Sequence, residues 1–417
     1  MTAKGFKARA PNQAEQTAMD TGKRHLTSLD SLRGIGVILI FADHFILPNY
    51  YIFFGWIGLW IFFSLSGFLI TDSLLKLKTL SIGSYFGRFY LKRAFRILPA
   101  FLVFFSIGLA LYFTLPRWLA GNSDLSRYWI YIVTFTFNHY PATPSYWFGH
   151  LWSLSLEEQF YVVWPWLVFF LSKSCFKRII LCWILAAPIL RLIFPWFYGS
   201  SEADMMDGSL LCQADAFAIG GCVAIFRDEM PGPRQSKMLM WIMTLAVILI
   251  GLVCYFKGQH VIVEGLRAWT GRPQSTAAAY FRTLGWVRIL NHQYVWGYSV
   301  INIWAATLIL ACLRGTAPLF LNFPPLVFLG RISYGAYLSH MPLLGIYLYY
   351  FHPIDPFSIR GFMIFLVWFA TVILVSWLSF RFIEVPFLRI KNSLGERKRV
   401  PTQRPLEFPS VKPALDE

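Results

Sequence analysis

The run Gly55-Trp56-Ile57-Gly58, continued by Phe62-Phe63-Ser64-Leu65-Ser66-Gly67-Phe68-Leu69-Ile70, is the middle of an apolar stretch over 52–75. A helix needs about 20 apolar residues to cross the hydrocarbon core of a bilayer, and this stretch is long enough. Working outward, comparable runs occupy 32–47, 98–115, 157–172, 179–195, 208–226, 238–256, 294–313, 332–351 and 361–380. Composition agrees. Of 417 residues, 57% are hydrophobic and 14% charged, and the mean hydropathy is +0.53. Soluble domains carry about 25% charged residues, so a water-soluble enzyme, a disordered chain and a fibrous repeat are excluded. The expected fold class is all-α, a polytopic transmembrane helical bundle of about ten spans.

Lysine and arginine number 37 against 21 acidic residues, a net charge of +16. Their placement speaks for the lipid bilayer as partner and against nucleic acid, because the basic clusters alternate with the apolar runs. Clusters at Lys4 to Arg33, Lys76 to Arg96, Lys173 to Arg178, Arg227 to Lys237 and Arg381 to Arg399 fall on one side of the membrane. The loop with Glu202, Asp204 and Asp207 falls on the other. The positive-inside bias then places both termini in the cytoplasm, and the expected location is a cell (inner or cytoplasmic) membrane. The apolar stretch 128–139 is too short to span and is expected at the interface or as a re-entrant piece. The loop 257–293 lies outside despite its basic residues and is expected to form a short extracytoplasmic element. The division is thus a cytoplasmic N-terminal segment over 1–29, a transmembrane domain over 30–391, and a disordered cytoplasmic tail over 392–417. No cleavable signal peptide is expected. The six cysteines form no CxxC pair and read as core residues, and no metal site is expected.

Several polar residues fall in or beside these runs. Arg33 and His44 are eleven residues apart, which on a helix is three turns plus about 20°, with about 16 Å between them along the axis. Asp30 lies within about 40° of the same stripe. A cation at one end and an imidazole at the other, facing one way, suit an elongated anionic donor whose reactive end reaches the histidine. The plainer alternatives are that Arg33 snorkels to lipid phosphates and that His44 bonds a neighbouring carbonyl. The intramembrane Asp43–His44 pair favours function.

Arg93 and Arg96, in the loop expected after the second span, stand at i and i+3, where they share one helical face and suit phosphate binding; an ordinary positive-inside cluster is the alternative. His150, Trp152, Glu157 and Glu158 open the fourth span. Paired carboxylates there suit an acceptor pocket, although Ser155 and Glu158 also fit a capping box and Trp152 an interfacial belt. Small residues in the second span, Ser66 and Gly67 among them, suit close helix packing. Asp215 lies on an apolar run, where a carboxylate needs a partner. Arg381 and Glu384 are spaced for an i,i+3 ion pair. No P-loop, GxSxG, HExxH or GxGxxG stands in a fitting context. Residue types therefore leave a membrane enzyme or a transporter.

Leu29–His44, Phe62–Ile70, the Arg93/Arg96/Pro99 cluster, His150–Pro165, Ser333–His340 and Phe382–Phe387 together resemble the acyltransferase 3 family of membrane O-acyltransferases, in the family's order. The resemblance implies that 30–391 is an acyltransferase 3 transmembrane domain. It also implies transfer of an acyl group, commonly acetyl, from cytoplasmic acyl-CoA to a hydroxyl of a glycan, a lipid-linked sugar or a secondary metabolite of a bacterial cell envelope. Carried onto this chain, Arg33 and His44 match the family's Arg-X10-His pair, Arg93 and Arg96 its Arg-X-X-Arg motif, and Glu157 and Glu158 its paired glutamates. Ser66 and Gly67 match its Ser-Gly-Phe-Leu segment, and His340 also stands at a motif position.

On this reading His44, Glu157 and Glu158 are catalytic. Arg33, Arg93 and Arg96 hold acyl-CoA, and Asp30, Trp152, His150, Ser66 and Gly67 contact substrate. Gln213 departs from the family, where many members carry arginine two positions before the aspartate, which leaves Asp215 without an evident cation. The family's frequent C-terminal SGNH hydrolase-like domain is expected to be missing, so the chain would work without it or with a separate hydrolase-like partner. A transporter or flippase of an envelope lipid or glycan precursor is the alternative.

Overall fold

The computed structural model describes residues 13–46, 55–114, 125–139, 148–198, 208–271, 293–351 and 358–396, with no strand among them. Thirteen α-helices follow in chain order. They are α1 Gln13–Ile46, α2 Gly55–Leu77, α3 Ile82–Thr114, α4 Leu125–Val133, α5 Leu151–Phe170, α6 Lys173–Tyr198 and α7 Ala214–Ile225. Next come α8 Pro233–Gly271, α9 Gln293–Leu313, α10 Pro324–Arg331, α11 Ser333–Phe351, α12 Ile359–Ser379 and α13 Val385–Glu396. Each apolar run read from the sequence falls on one of these helices. Among the described residues, five helices, starting at Gly55, Ile82, Pro233, Val295 and Ile359, are long and apolar enough to cross a membrane. Helix α4 has nine residues, about 13 Å of rise, too short for a span.

Helix α2 is the hub, packed on α1, α7, α9, α5 and α3. Its crossing with α7 is set by two glycines. A methyl on Gly67 would meet the Phe217 carbonyl oxygen at 2.1 Å, and one on Gly220 the Ser64 carbonyl oxygen at 2.0 Å. Small residues at such a crossing let two backbones touch, which is how helices associate where lipid removes the hydrophobic drive. Around the hub, Trp60, Phe63, Phe160, Trp164 and Phe217 interlock as a buried aromatic core. The outward faces are apolar as well: Trp241, Leu245 and Leu249 on α8 are exposed, as expected of a lipid-facing side.

Five expectations are corrected. The arginine cluster Arg88–Arg96 lies on α3 rather than in a loop, because no proline stands between Ile82 and Leu98 and the basic and aromatic residues continue at helical spacing. Helix α8 continues to Gly271, well past the expected end at 256, and 272–292 lie outside the described residues. Helix α13 reaches Glu396, so the first part of the expected tail is helical; 397–417 lie outside the described residues, as does the acidic loop at Glu202, Asp204 and Asp207. Ser155 is a buried interior residue of α5 and makes no capping box: its hydroxyl donates to the Leu151 carbonyl and accepts from the Phe137 amide. Finally, Phe380–Glu384 form a π-turn joining α12 to α13. There Glu384 is buried and faces Arg96 at 3.9 Å, not Arg381. The extra residue in a π-turn shifts the side-chain phase, which undoes the i,i+3 pairing.

Candidate active site

Helix α1 is continuous from Asp30 to His44, so the stripe read from the sequence exists as one rigid edge. At its basic end Arg33 Nη1 donates to Asp30 Oδ1 at 2.9 Å, and Arg331 stands 3.6 Å from the other Asp30 oxygen. Helix α3 brings Arg93 and Arg96 alongside. The Arg93 guanidinium lies 5.1 Å from the centre of the Tyr161 ring and 6.0 Å from that of Phe89, a cation–π seat that leaves its N–H groups available.

These arginines open onto a cavity of about 140 Å³ between α1, α2, α3, α5 and α11. Arg33, Arg93 and Arg96 line one part; Ser66, Glu157, Tyr161, Ser153 and Tyr337 line the rest. Glu157 is held at both oxygens, accepting from Ser66 Oγ at 3.0 Å and from the Tyr161 hydroxyl at 2.9 Å. Glu158 points elsewhere. It does not line the cavity, and its Oε1 has no partner among the described residues. Ser66 is therefore a cavity residue, whereas Gly67 serves the α2–α7 crossing.

Behind Ser153 and Tyr337 lie three histidines in a row. The His44 and His340 rings are 5.2 Å apart, and His340 and His150 are 5.0 Å apart. Tyr337 is the partition, its ring 5.4 Å from His340 and 5.3 Å from His150. Its hydroxyl donates to the His150 carbonyl at 2.7 Å and is hydrogen-bonded to Ser153. Nδ1 of His44 faces the Ile40 carbonyl at 2.8 Å, and Nδ1 of His340 faces the Tyr337 carbonyl at 2.7 Å. A neutral ring in that position donates from Nδ1 and keeps its lone pair on Nε2. Nε2 of His340 has no partner among the described residues. Phe41 stacks on His340 at 5.2 Å, which fixes that ring's plane. Trp152 packs with the neighbouring hydrophobic residues and does not line the cavity.

The sequence-derived residues thus divide into two groups. Asp30, Arg33, Arg93, Arg96, Ser66 and Glu157 gather at or beside the cavity, while His44 and His150 gather with His340 behind its wall. Tyr337 and Ser153 were missed, although the spacing carried a signal: Tyr337 stands one helical turn before His340, and Ser153 three residues after His150. Asp215 does have a cation. Arg191 of α6 pairs with both its oxygens, at 2.9 and 3.3 Å, and both side chains are fully buried. Ser299 donates to Asp215 at 2.6 Å. Gln213 instead accepts from the Trp60 indole at 3.2 Å, so the partner missing at 213 is supplied from another helix.

The acyltransferase domain of the acyltransferase 3 family matches residues 26–381. The chain belongs to that family. Within it, the peptidoglycan O-acetyltransferase OatA of Listeria monocytogenes is 26% identical over 388 residues, covering 87% of this chain and 56% of the relative. The O-acetyltransferase OatA of Staphylococcus aureus is 25% identical over 389 residues, covering 87% and 57%. The chain spans a little over half the length of these curated relatives. No solved structure matches it at a significant level.

Proposed function

We propose that this family member is a multi-pass O-acyltransferase of a bacterial inner membrane, with ten spans and both termini cytoplasmic. It takes an acyl group, commonly acetyl, from cytoplasmic acyl-CoA and places it on a hydroxyl of an envelope glycan or lipid-linked sugar. The observation that carries the reading is the cavity with three arginines on one side and three histidines behind its far wall. An acyl-CoA has that polarity, with phosphates at one end and the thioester at the other. Arg33, Arg93 and Arg96 would hold phosphates, and the pantetheine arm would run along the α1 stripe. The acceptor oxygen would lose its proton to a histidine nitrogen and bond to the acyl carbon. The carbon–sulfur bond would break, and the thiolate would take up a proton as CoA. Glu157, fixed by Ser66 and Tyr161, would orient substrate groups in the cavity. Peptidoglycan, named in the Listeria relative, is the first acceptor to test.

Purified protein supplied with acetyl-CoA is expected to release thiol in a manner dependent on added peptidoglycan fragments, and mass spectrometry is expected to find the acetylated sugar. Thiol release that no envelope glycan stimulates would end the reading. Arg93→Ala is expected to weaken CoA binding about 10- to 100-fold, the worth of a charged hydrogen bond. Arg93→Lys should recover only part, since an ammonium cannot bond bidentately. Equal CoA affinity in wild type and Arg93→Ala would return the arginines to a role in contacting lipid. For topology, a reporter fused after residue 400 is expected in the cytoplasm and one inserted at Glu202 outside. Both on one side would contradict ten spans.

A further inference from the structure

A second cavity, of about 440 Å³, adjoins the first. Arg33, Arg93 and Arg96 line both, whereas Asp30, Lys92 and Arg331 line only the second. Five cations there face one lining carboxylate, with Phe89 and Phe380 as apolar flanks. Glu384, 3.9 Å from Arg96, offsets one more charge. Lys92 is exposed and Arg331 about half exposed, so both can reach a ligand entering from outside. The three shared arginines account for a pyrophosphate; Lys92 and Arg331 lie beyond them, away from the histidines, and the site so far described does not use them.

We propose that this outer cavity is a subsite for a phosphomonoester, the 3′-phosphate on the adenosine end of the acyl-CoA donor, with Lys92 and Arg331 as its specificity residues. The inference rests on the acyl-CoA reading above and extends it. Order along the donor matches order along the protein: thioester at the Tyr337 wall, pyrophosphate at the shared arginines, phosphoadenosine between Lys92, Arg331 and the two phenylalanines. Charge matches too, since a phosphomonoester brings about −1.5 to −2 at neutral pH. Asp30 holds Arg331 at the rim, 3.6 Å away, so that cation is positioned before the donor arrives. A lipid headgroup phosphate has the same chemistry, and the experiment separates the two sources.

The full-length protein is assayed for thiol release with acetyl-CoA and with acetyl-3′-dephospho-CoA, in phospholipid nanodiscs and in phospholipid-free detergent. Wild type is expected to show a KM about tenfold or more higher for the dephospho donor, with similar kcat. Lys92→Ala with Arg331→Ala should raise the acetyl-CoA KM to the dephospho value and leave the dephospho KM within about twofold, as expected for exposed charges that do not hold the fold. Arg331→Lys should keep part of the preference. Equal use of both donors by wild type would overturn the subsite. So would variants that raise both KM values alike, or a preference that appears only without phospholipid, which would assign the cations to lipid in the membrane. Turnover of neither donor by wild type would strike down the acyl-CoA reading itself, a result distinguishable from all of these.

Discussion

His44→Ala is expected to lower acyl transfer by about 10²–10⁴-fold, the contribution of a positioned general base, while expression and CoA binding stay close to wild type. The geometry sets this expectation. His44 shares a rigid edge with Arg33, its Nδ1 faces the Ile40 carbonyl, and its Nε2 is thereby left to accept a proton. It is half-buried rather than sealed, whereas His340 and His150 are buried, so it is the member of the row that an acceptor can approach. His44→Gln should not restore activity, because an amide bonds but does not take up the proton. The two neighbours belong in the same assay. His340→Ala removes the ring between the other two and is expected to reduce turnover less than His44→Ala. Near-normal turnover in His44→Ala beside an inactive His340 or His150 variant would move the base to that residue. Activity in all three would dismiss a histidine base.

The largest stability effect is expected at Arg191. Its guanidinium and the Asp215 carboxylate are both fully buried and make a two-point contact extended by Ser299 and the Cys212 carbonyl. Removing one partner strands a buried charge, which destabilises by about 3–5 kcal/mol. Arg191→Ala or Asp215→Ala should therefore sharply lower the yield of folded protein and its thermal unfolding midpoint in detergent. The paired apolar replacement Arg191→Met with Asp215→Leu should recover most of the loss, since replacing both partners removes the stranded charge. Single variants that unfold like wild type would show that the pair contributes little. A double variant that is stable but inactive would mean the pair also serves the reaction.

What the sequence made readable follows from the range over which its rules act. The Arg33–His44 stripe and the Arg93–Arg96 face depend on helical period alone, and both survive in the structure. Glu157 and Glu158 are neighbours about 100° apart on a helix, so only packing against Ser66 and Tyr161 decides that Glu157 faces the cavity. Glu384 looked paired with Arg381 because the spacing assumed 3.6 residues per turn; the π-turn at 380–384 invalidates that assumption. Asp215 looked unpartnered because its cation lies 24 positions earlier on α6. Tyr337 carried only its one-turn spacing from His340, and a tyrosine in an aromatic-rich helix reads as packing until the cavity beside it is known.

The contact between α1 and α10 bears on when during synthesis the protein can first work. A methyl on Gly330 would sit 1.7 Å from the Asp30 carbonyl oxygen, and one on Gly34 would sit 2.3 Å from that of Leu326. These two backbones touch, and that contact places Arg331 beside Asp30 and Arg33. Glu384, which faces Arg96, emerges from the ribosome later still. The first helix is thus made some 300 residues before the segment that completes its basic end, and a nascent chain in the membrane has arginines but no finished pocket.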